Sequence, residues 1–143
     1  MGKKYAMFIG RWQPFHNGHA FLVQQKLAQG VPVCIAIRDT PISEGDPYPA
    51  QYRKQMIEHA YEGQDVTTII IPDIEGVYIG RQVGYNVERF DAPENIEGIS
   101  ATKIRNMMAE SNDDWVDFVP ARVAKFLKST PLQYYNGEYS PLQ

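Results

Sequence analysis

Tyr5-Ala6-Met7-Phe8-Ile9, followed by Gly10-Arg11-Trp12-Gln13-Pro14-Phe15-His16-Asn17-Gly18-His19, is the stretch on which the fold turns. Its first half is a short apolar run that stops at a glycine, the pattern of a buried strand. Its second half carries an arginine, a glycine and two of the chain's three histidines. It leads into residues 18–29, where Ala20, Phe21, Val23, Leu27 and Ala28 fall at helical spacing and Gly30 stands as a C-terminal cap. Strand, polar turn and helix in that order open a βαβ unit.

The pattern then recurs. Val31 to Ile37 is a second β-branched run, and Pro32 fits only a strand start, so the strand is predicted from Val33. Residues 40–49 hold Pro41, Pro47, Pro49 and Gly45 and read as a surface loop. From Pro49 to Tyr61 the residues Tyr52, Met56, Ile57 and Ala60 share one helical face, with proline in the first turn. Val66 to Ile71 is a third strand stopped by Pro72. Gly76 to Ile79 and Asn86 to Phe90 read as shorter strands, and Ser100 to Glu110 and Pro120 to Lys128 as helices. The expected architecture is α/β, with a five-stranded parallel sheet and helices on both faces. Ligands in such sheets bind beyond the carboxyl ends of the strands. Residues 1–130 are expected to form one domain. The tyrosine-rich residues 131–143 are expected as a tail, packed on the body or at an interface between copies.

Composition excludes more than it proposes. The 143 residues carry a formal charge of −3 and are 43% hydrophobic, with one cysteine. A chain of this length buries roughly two thirds of its unfolded surface and needs no covalent staples. Cys34 cannot form an internal disulfide, and a reducing, cytoplasmic setting is expected. It lies in an apolar strand and reads as core. No apolar run approaches the ~20 residues of a membrane helix, and Met1 to Gly10 has too short an apolar stretch for a signal peptide. The mildly acidic balance argues against a sequence-independent nucleic-acid binder, which usually carries a basic stripe.

Chemistry therefore has to come from local motifs. In the loop after the first strand, two imidazoles three residues apart can face one point if the turn between them tightens into a helix. Gly18, having no side chain, lets a ligand approach the backbone closely. The helix N-terminus adds free N–H groups and a partial positive charge suited to phosphate. Neither a P-loop nor a Gly-x-Gly-x-x-Gly fingerprint is present. The histidines have no cysteine or acidic ligand near them in sequence, so no protein-held metal is expected. A second segment, Ile99-Ser100-Ala101-Thr102-Lys103-Ile104-Arg105, has the same logic. Ser100 can cap a helix whose first-turn N–H groups meet phosphate oxygens, Thr102 adds a donor, and Arg105 brings a forked charge to the same anion.

His16-Asn17-Gly18-His19 resembles the HxGH motif of the nucleotidylyltransferase superfamily. The longer GRWQPFHNGH resembles the GRFQPFHxGH opening of its archaeal-type nicotinamide-mononucleotide adenylyltransferases. Residues 99–105 resemble the superfamily's ISxTxxR motif. Asp114-Trp115, Val119-Pro120 and Val123 are similar to the tail of those adenylyltransferases. Ala36-Ile37-Arg38 and Tyr52-Arg53-Lys54 resemble both this group and the short cytidylyltransferases that activate glycerol 3-phosphate. The resemblance runs over roughly residues 4–128. Where the adenylyltransferases usually carry an Asn-Pro-Phe-Thr-like stretch, this chain reads Asp46-Pro47-Tyr48-Pro49-Ala50.

The resemblance implies a Rossmann-like fold and transfer of a nucleoside monophosphate from a triphosphate to a phosphate-bearing acceptor, with release of pyrophosphate. ATP with nicotinamide mononucleotide, giving NAD, is the leading pair. The alternatives are a CTP-dependent enzyme acting on a small polyol or sugar phosphate, or a non-catalytic nucleotide-binding module. His16, His19 and Arg105 take the catalytic places. Gly10, Arg11, Gln13, Phe15, Gly18, Ile99, Ser100 and Thr102 line the nucleotide, and Trp12, Arg38 and Arg53 the acceptor. The base is expected near residues 78–81 and 95–99. Mg²⁺ would bridge phosphates with few protein ligands. Neither nucleic acid nor membrane is a partner, and assembly with further copies is compatible with the tail.

Overall fold

β-branched residues crowd Val33 to Ile37, and in the structure, a computed structural model, this run is the middle of a parallel sheet. The structure describes residues 2–81, 84–89, 98–135 and 138–141. Strand β1 (Ala6–Gly10) lies on one side of β2 (Val33–Asp39), and β3 (Val66–Pro72) on the other, all parallel. The register sets Phe8 beside Ile35 and Ile35 beside Thr68. Val33 through Ile37 are all buried, as a central parallel strand requires.

Helix α1 (Asn17–Ala28) connects β1 to β2, and α2 (Ala50–Ala60) connects β2 to β3. Gly30 ends the first crossover at φ 74°, with its N–H on the Leu27 carbonyl, a conformation that costs glycine little. Pro49 is the N-cap of α2, just before the helix, where its missing N–H leaves no bond unmade. After β3 come α3 (Ala101–Ala109), a 3-10 turn (Asp113–Phe118) and α4 (Ala121–Ser129). The core gathers on the sheet face formed by Val33, Ile35 and Ile37. There Val23 of α1, Met56 and Ile57 of α2, Ile104 of α3 and Val123 of α4 close over it. Each such side chain contributes ~1.5–3 kcal/mol by leaving water. Tyr52 ties the last helix down, its hydroxyl donating to the Thr130 carbonyl at 2.6 Å and its ring lying 5.1 Å from Phe126.

Two sequence expectations change. Among the described residues the parallel sheet has three strands, not five. Gly76 to Ile79 and residues 86–89 form no ladder, and Phe90 lies outside the described residues. Short apolar runs carry β-propensity, but a strand also needs a partner edge. Val77, Tyr78 and Val87 are exposed here. Helices also do not cover both faces among the described residues, since Met7, Ile9 and Ile69 on the opposite face stand exposed. Within residues 131–143, expected as a tail, β4 (Leu132–Tyr135) pairs antiparallel with β5 (Glu138–Pro141). Leu132 packs against the core. No helix among the described residues is long and apolar enough to cross a membrane.

Candidate active site

The turn after β1 folds back on itself because both histidines are used as helix caps. His16 is the N-cap of α1 in extended backbone, and its Nδ1 accepts the Gly18 N–H at 3.0 Å. His19, three residues on, reaches back: its Nδ1 accepts the His16 N–H at 3.2 Å. This is a capping box built from imidazoles, and it explains the three-residue spacing. The two rings stack with centroids 3.6 Å apart.

With Nδ1 of each ring accepting, the neutral tautomer carries its proton on Nε2 and offers it as a donor. Burial lowers His16 from its ordinary 6.5 to about 4. Burial, and then the neighbouring His16, hold His19 well below the same value. At neutral pH the pair is thus two uncharged N–H donors at the mouth of a helix.

Arg105 brings the second segment to the first. Its Nη1 donates to the Gln13 carbonyl at 2.7 Å across 92 residues of chain, and its Nη2 reaches the Thr102 hydroxyl at 3.4 Å. Ser100 caps α3 as expected, its Oγ accepting the Lys103 N–H at 3.1 Å. Thr102 and Lys103 are exposed and Ile99 is half-buried. Arg11 is exposed and rests against Asp46 at 3.5 Å, a long surface pair worth ~0–1 kcal/mol and easily exchanged for another anion. Gly18, on the first turn of α1, is half-buried.

Several residues expected to touch ligand serve the framework. Phe15 has no exposed surface and sits in the core. Gln13 is buried, and its side-chain amide clips the Tyr48 backbone with two bonds, donating to the carbonyl and accepting the N–H, both at 3.0 Å. Gly10 is where the Trp12 indole packs, and a Cβ there would come within 2.9 Å of it. Trp12, expected to line the acceptor, is buried, its Nε1 donating to the Ala36 carbonyl at 3.1 Å. Arg53, expected on an acceptor phosphate, has no exposed surface. It donates to the carbonyls of Tyr48 (2.9 Å), Arg11 (2.7 Å) and Arg38 (2.8 Å), so it braces two loops and the end of β2 at once. Its Nη2 has no hydrogen-bond partner among the described residues. Burial works against the Arg53 charge, and the nearby carboxylates of Asp46 and Asp39 favour it.

Arg38 is half-exposed and bound through Nε and Nη2 to Asp73, at 3.1 and 2.8 Å. Residues 95–97 of the expected base site lie outside the described residues. Asp46, Asp73 and the Tyr48 peptide group are the participants that sequence reading missed. Their roles depend on backbone carbonyls and on loops meeting in space, and neither leaves a trace in residue spacing. Among the described residues no three His, Cys, Asp or Glu gather to hold a metal.

Residues 7–75 match the family described as cytidylyltransferase-like. Over most of its length the chain is similar to curated nicotinamide-nucleotide adenylyltransferases. That of Pyrobaculum neutrophilum is 27% identical, with 88% of each chain covered. That of Methanococcus maripaludis is 29% identical, covering 86% of this chain and 88% of the relative. That of Sulfurisphaera tokodaii is also 29% identical, covering 86% and 90%. Among solved structures, a bifunctional NMN adenylyltransferase/ADP ribose pyrophosphatase of Francisella tularensis, complexed with AMP and a manganese ion, is 33% identical over 50% of this chain and 22% of that one, with a TM-score of 0.39.

Proposed function

We propose that this chain, whose residues 7–75 match the cytidylyltransferase-like family and which is similar over most of its length to nicotinamide-nucleotide adenylyltransferases, transfers the adenylyl group of ATP to nicotinamide mononucleotide, giving NAD and pyrophosphate. One contact carries the reading. The bond from Arg105 to the Gln13 carbonyl ties α3 to the loop that leads into the capped histidines of α1, which supports a reading in which two helix N-termini and one guanidinium serve a single triphosphate.

An oxygen of the acceptor phosphate forms the new bond to the α-phosphorus, and the bond to the β-phosphate breaks, its electron pair leaving with pyrophosphate. The nucleophile is already ionised, so no general base is needed. The protein's part is alignment and charge stabilisation. Neutral His16 and His19 donate through Nε2 to the α- and β-phosphate oxygens. Ser100, Thr102 and Arg105 hold the outer phosphates, and Arg11 releases Asp46 to join them. Arg38 and the loop 40–49 face the acceptor. The donor set of imidazole N–H, guanidinium and hydroxyl groups suits phosphate oxygens rather than a cation. Mg²⁺ would therefore arrive on the triphosphate as part of the substrate.

Pyrophosphate release, measured with each of four triphosphates against nicotinamide mononucleotide and a panel of polyol and sugar phosphates, tests the assignment. Turnover with ATP and the mononucleotide is expected. Turnover confined to CTP would move the chain to the cytidylyltransferases, and nucleotide binding without turnover would make it a binding module. His19→Ala should lower the rate by ~10²–10³ with a smaller loss of nucleotide affinity, as removal of a transition-state donor does.

A further inference from the structure

Trp12 is the one large side chain in the loop after β1 that both leaves ordinary backbone space and touches a catalytic ring. Its φ is 57°, a left-handed conformation that a bulky residue adopts at a cost. The indole lies over Gly10, where a Cβ would meet its ring at 2.9 Å. Its Nε1 is anchored on the Ala36 carbonyl of β2 at 3.1 Å. From this anchor the ring stands edge-on to the His19 imidazole, with centroids 4.6 Å apart and planes at 85°. Phe15 lies 5.4 Å from the same imidazole, and His16 stacks on it at 3.6 Å. Three rings therefore enclose His19, and only Trp12 among them is hydrogen-bonded to the sheet.

We propose that Trp12 is a positioning residue for His19, transmitting the rigidity of β2 to the imidazole so that Nδ1 stays on the His16 N–H and Nε2 faces the ligand. The inference rests on the reading of His19 as a phosphate donor, and it gives Trp12 a place behind the histidine in place of one against the acceptor. The edge-on geometry favours it, since a buried indole with its N–H engaged has no face to offer a nicotinamide ring. It also gives the strained backbone a purpose. The left-handed turn at Trp12 aims the side chain back over Gly10 and onto His19, where an extended residue would point elsewhere.

Trp12→Phe keeps a ring and removes the N–H anchor, and Trp12→Leu removes the ring as well. In Trp12→Phe, kcat should fall about tenfold with KM for both substrates within about twofold, and Trp12→Leu should lose more. NMR of the ligand-free protein supplies a second readout. The His19 ring, labelled at Cε1, should titrate closer to the ordinary histidine value in Trp12→Leu, because burial, to which the indole contributes, is the larger cause of its lowered value and the neighbouring His16 the smaller. Unchanged kcat and unchanged His19 titration, with only a lowered melting temperature, would overturn the proposal and leave Trp12 as core filling. A raised acceptor KM at constant kcat would overturn it in favour of the stacking surface. The titration uses no substrate, so it would report on Trp12 even in a chain without transferase activity. Failure of the positioning role and failure of the proposed reaction are thereby told apart.

Discussion

At His16 the nitrogen that accepts the Gly18 N–H is the one a proton would otherwise occupy, so protonation and the helix cap compete. Burial lowers the group from 6.5 to about 4, which makes the folded chain bind fewer protons than the unfolded one between those values. Stability is therefore complete above pH ~6.5 and falls as the pH drops toward 4, by on the order of 3 kcal/mol from this site. Urea midpoints at pH 7.5 and 4.5 should differ accordingly, and His16→Asn, which keeps a capping acceptor, should shrink the difference. Arg53 is a second residue whose effect is large for its size. Arg53→Met would strand the carbonyls of Arg11 and Arg38 and cost ~3 kcal/mol or more, read as a fall in the unfolding midpoint. The roles of Arg105 and the histidines toward phosphate rest on the resemblance, but the meeting of the two histidines at a helix start and the Ser100 cap were legible in the spacing. Trp12 and Arg53 were not, because an indole or guanidinium that bonds to main-chain carbonyls has no partner side chain to pair with in a sequence.

Elements were legible where periodicity and punctuation agreed. The first three strands and the four helices fall within a residue or two of their expected bounds, each closed by a cap or a proline. The 3-10 turn Asp113–Phe118 and the pairing of β4 with β5 had no such pattern, and the turn is held from elsewhere in the fold, the Asn17 side chain donating to the Asp117 carbonyl at 3.1 Å. The two site-bearing helices differ in how they are started, α1 by imidazoles and α3 by a hydroxyl. Ser100→Ala should thus cost about 1 kcal/mol of stability through the lost cap and raise KM for the triphosphate by severalfold, with kcat little changed. A steady-state comparison against the parent separates the two effects.

For the molecule as a whole the formal charge of −3 averages over Arg11, Lys103 and Arg105, which the proposed function sets around one triphosphate-binding mouth. A triphosphate is drawn to that mouth against the average field. Added salt should weaken the attraction, raising KM for ATP by roughly threefold between 50 and 300 mM while leaving kcat nearly constant. A KM insensitive to salt would place the binding energy in the base rather than in the phosphates. The same mouth is held open by the clip between Gln13 and residue 48, and that clip grips a peptide group, not a ring. In engineering terms position 48 is a socket. A foreign acceptor loop grafted across residues 40–49 would have to keep the Tyr48 ring, which packs on the core 5.3 Å from Tyr52 and reaches the Met108 sulfur. Its residue 48 would also have to present its N–H to Gln13 and its carbonyl to Gln13 and Arg53, and the triphosphate half of the site would then keep its shape while the rest of the loop is rewritten.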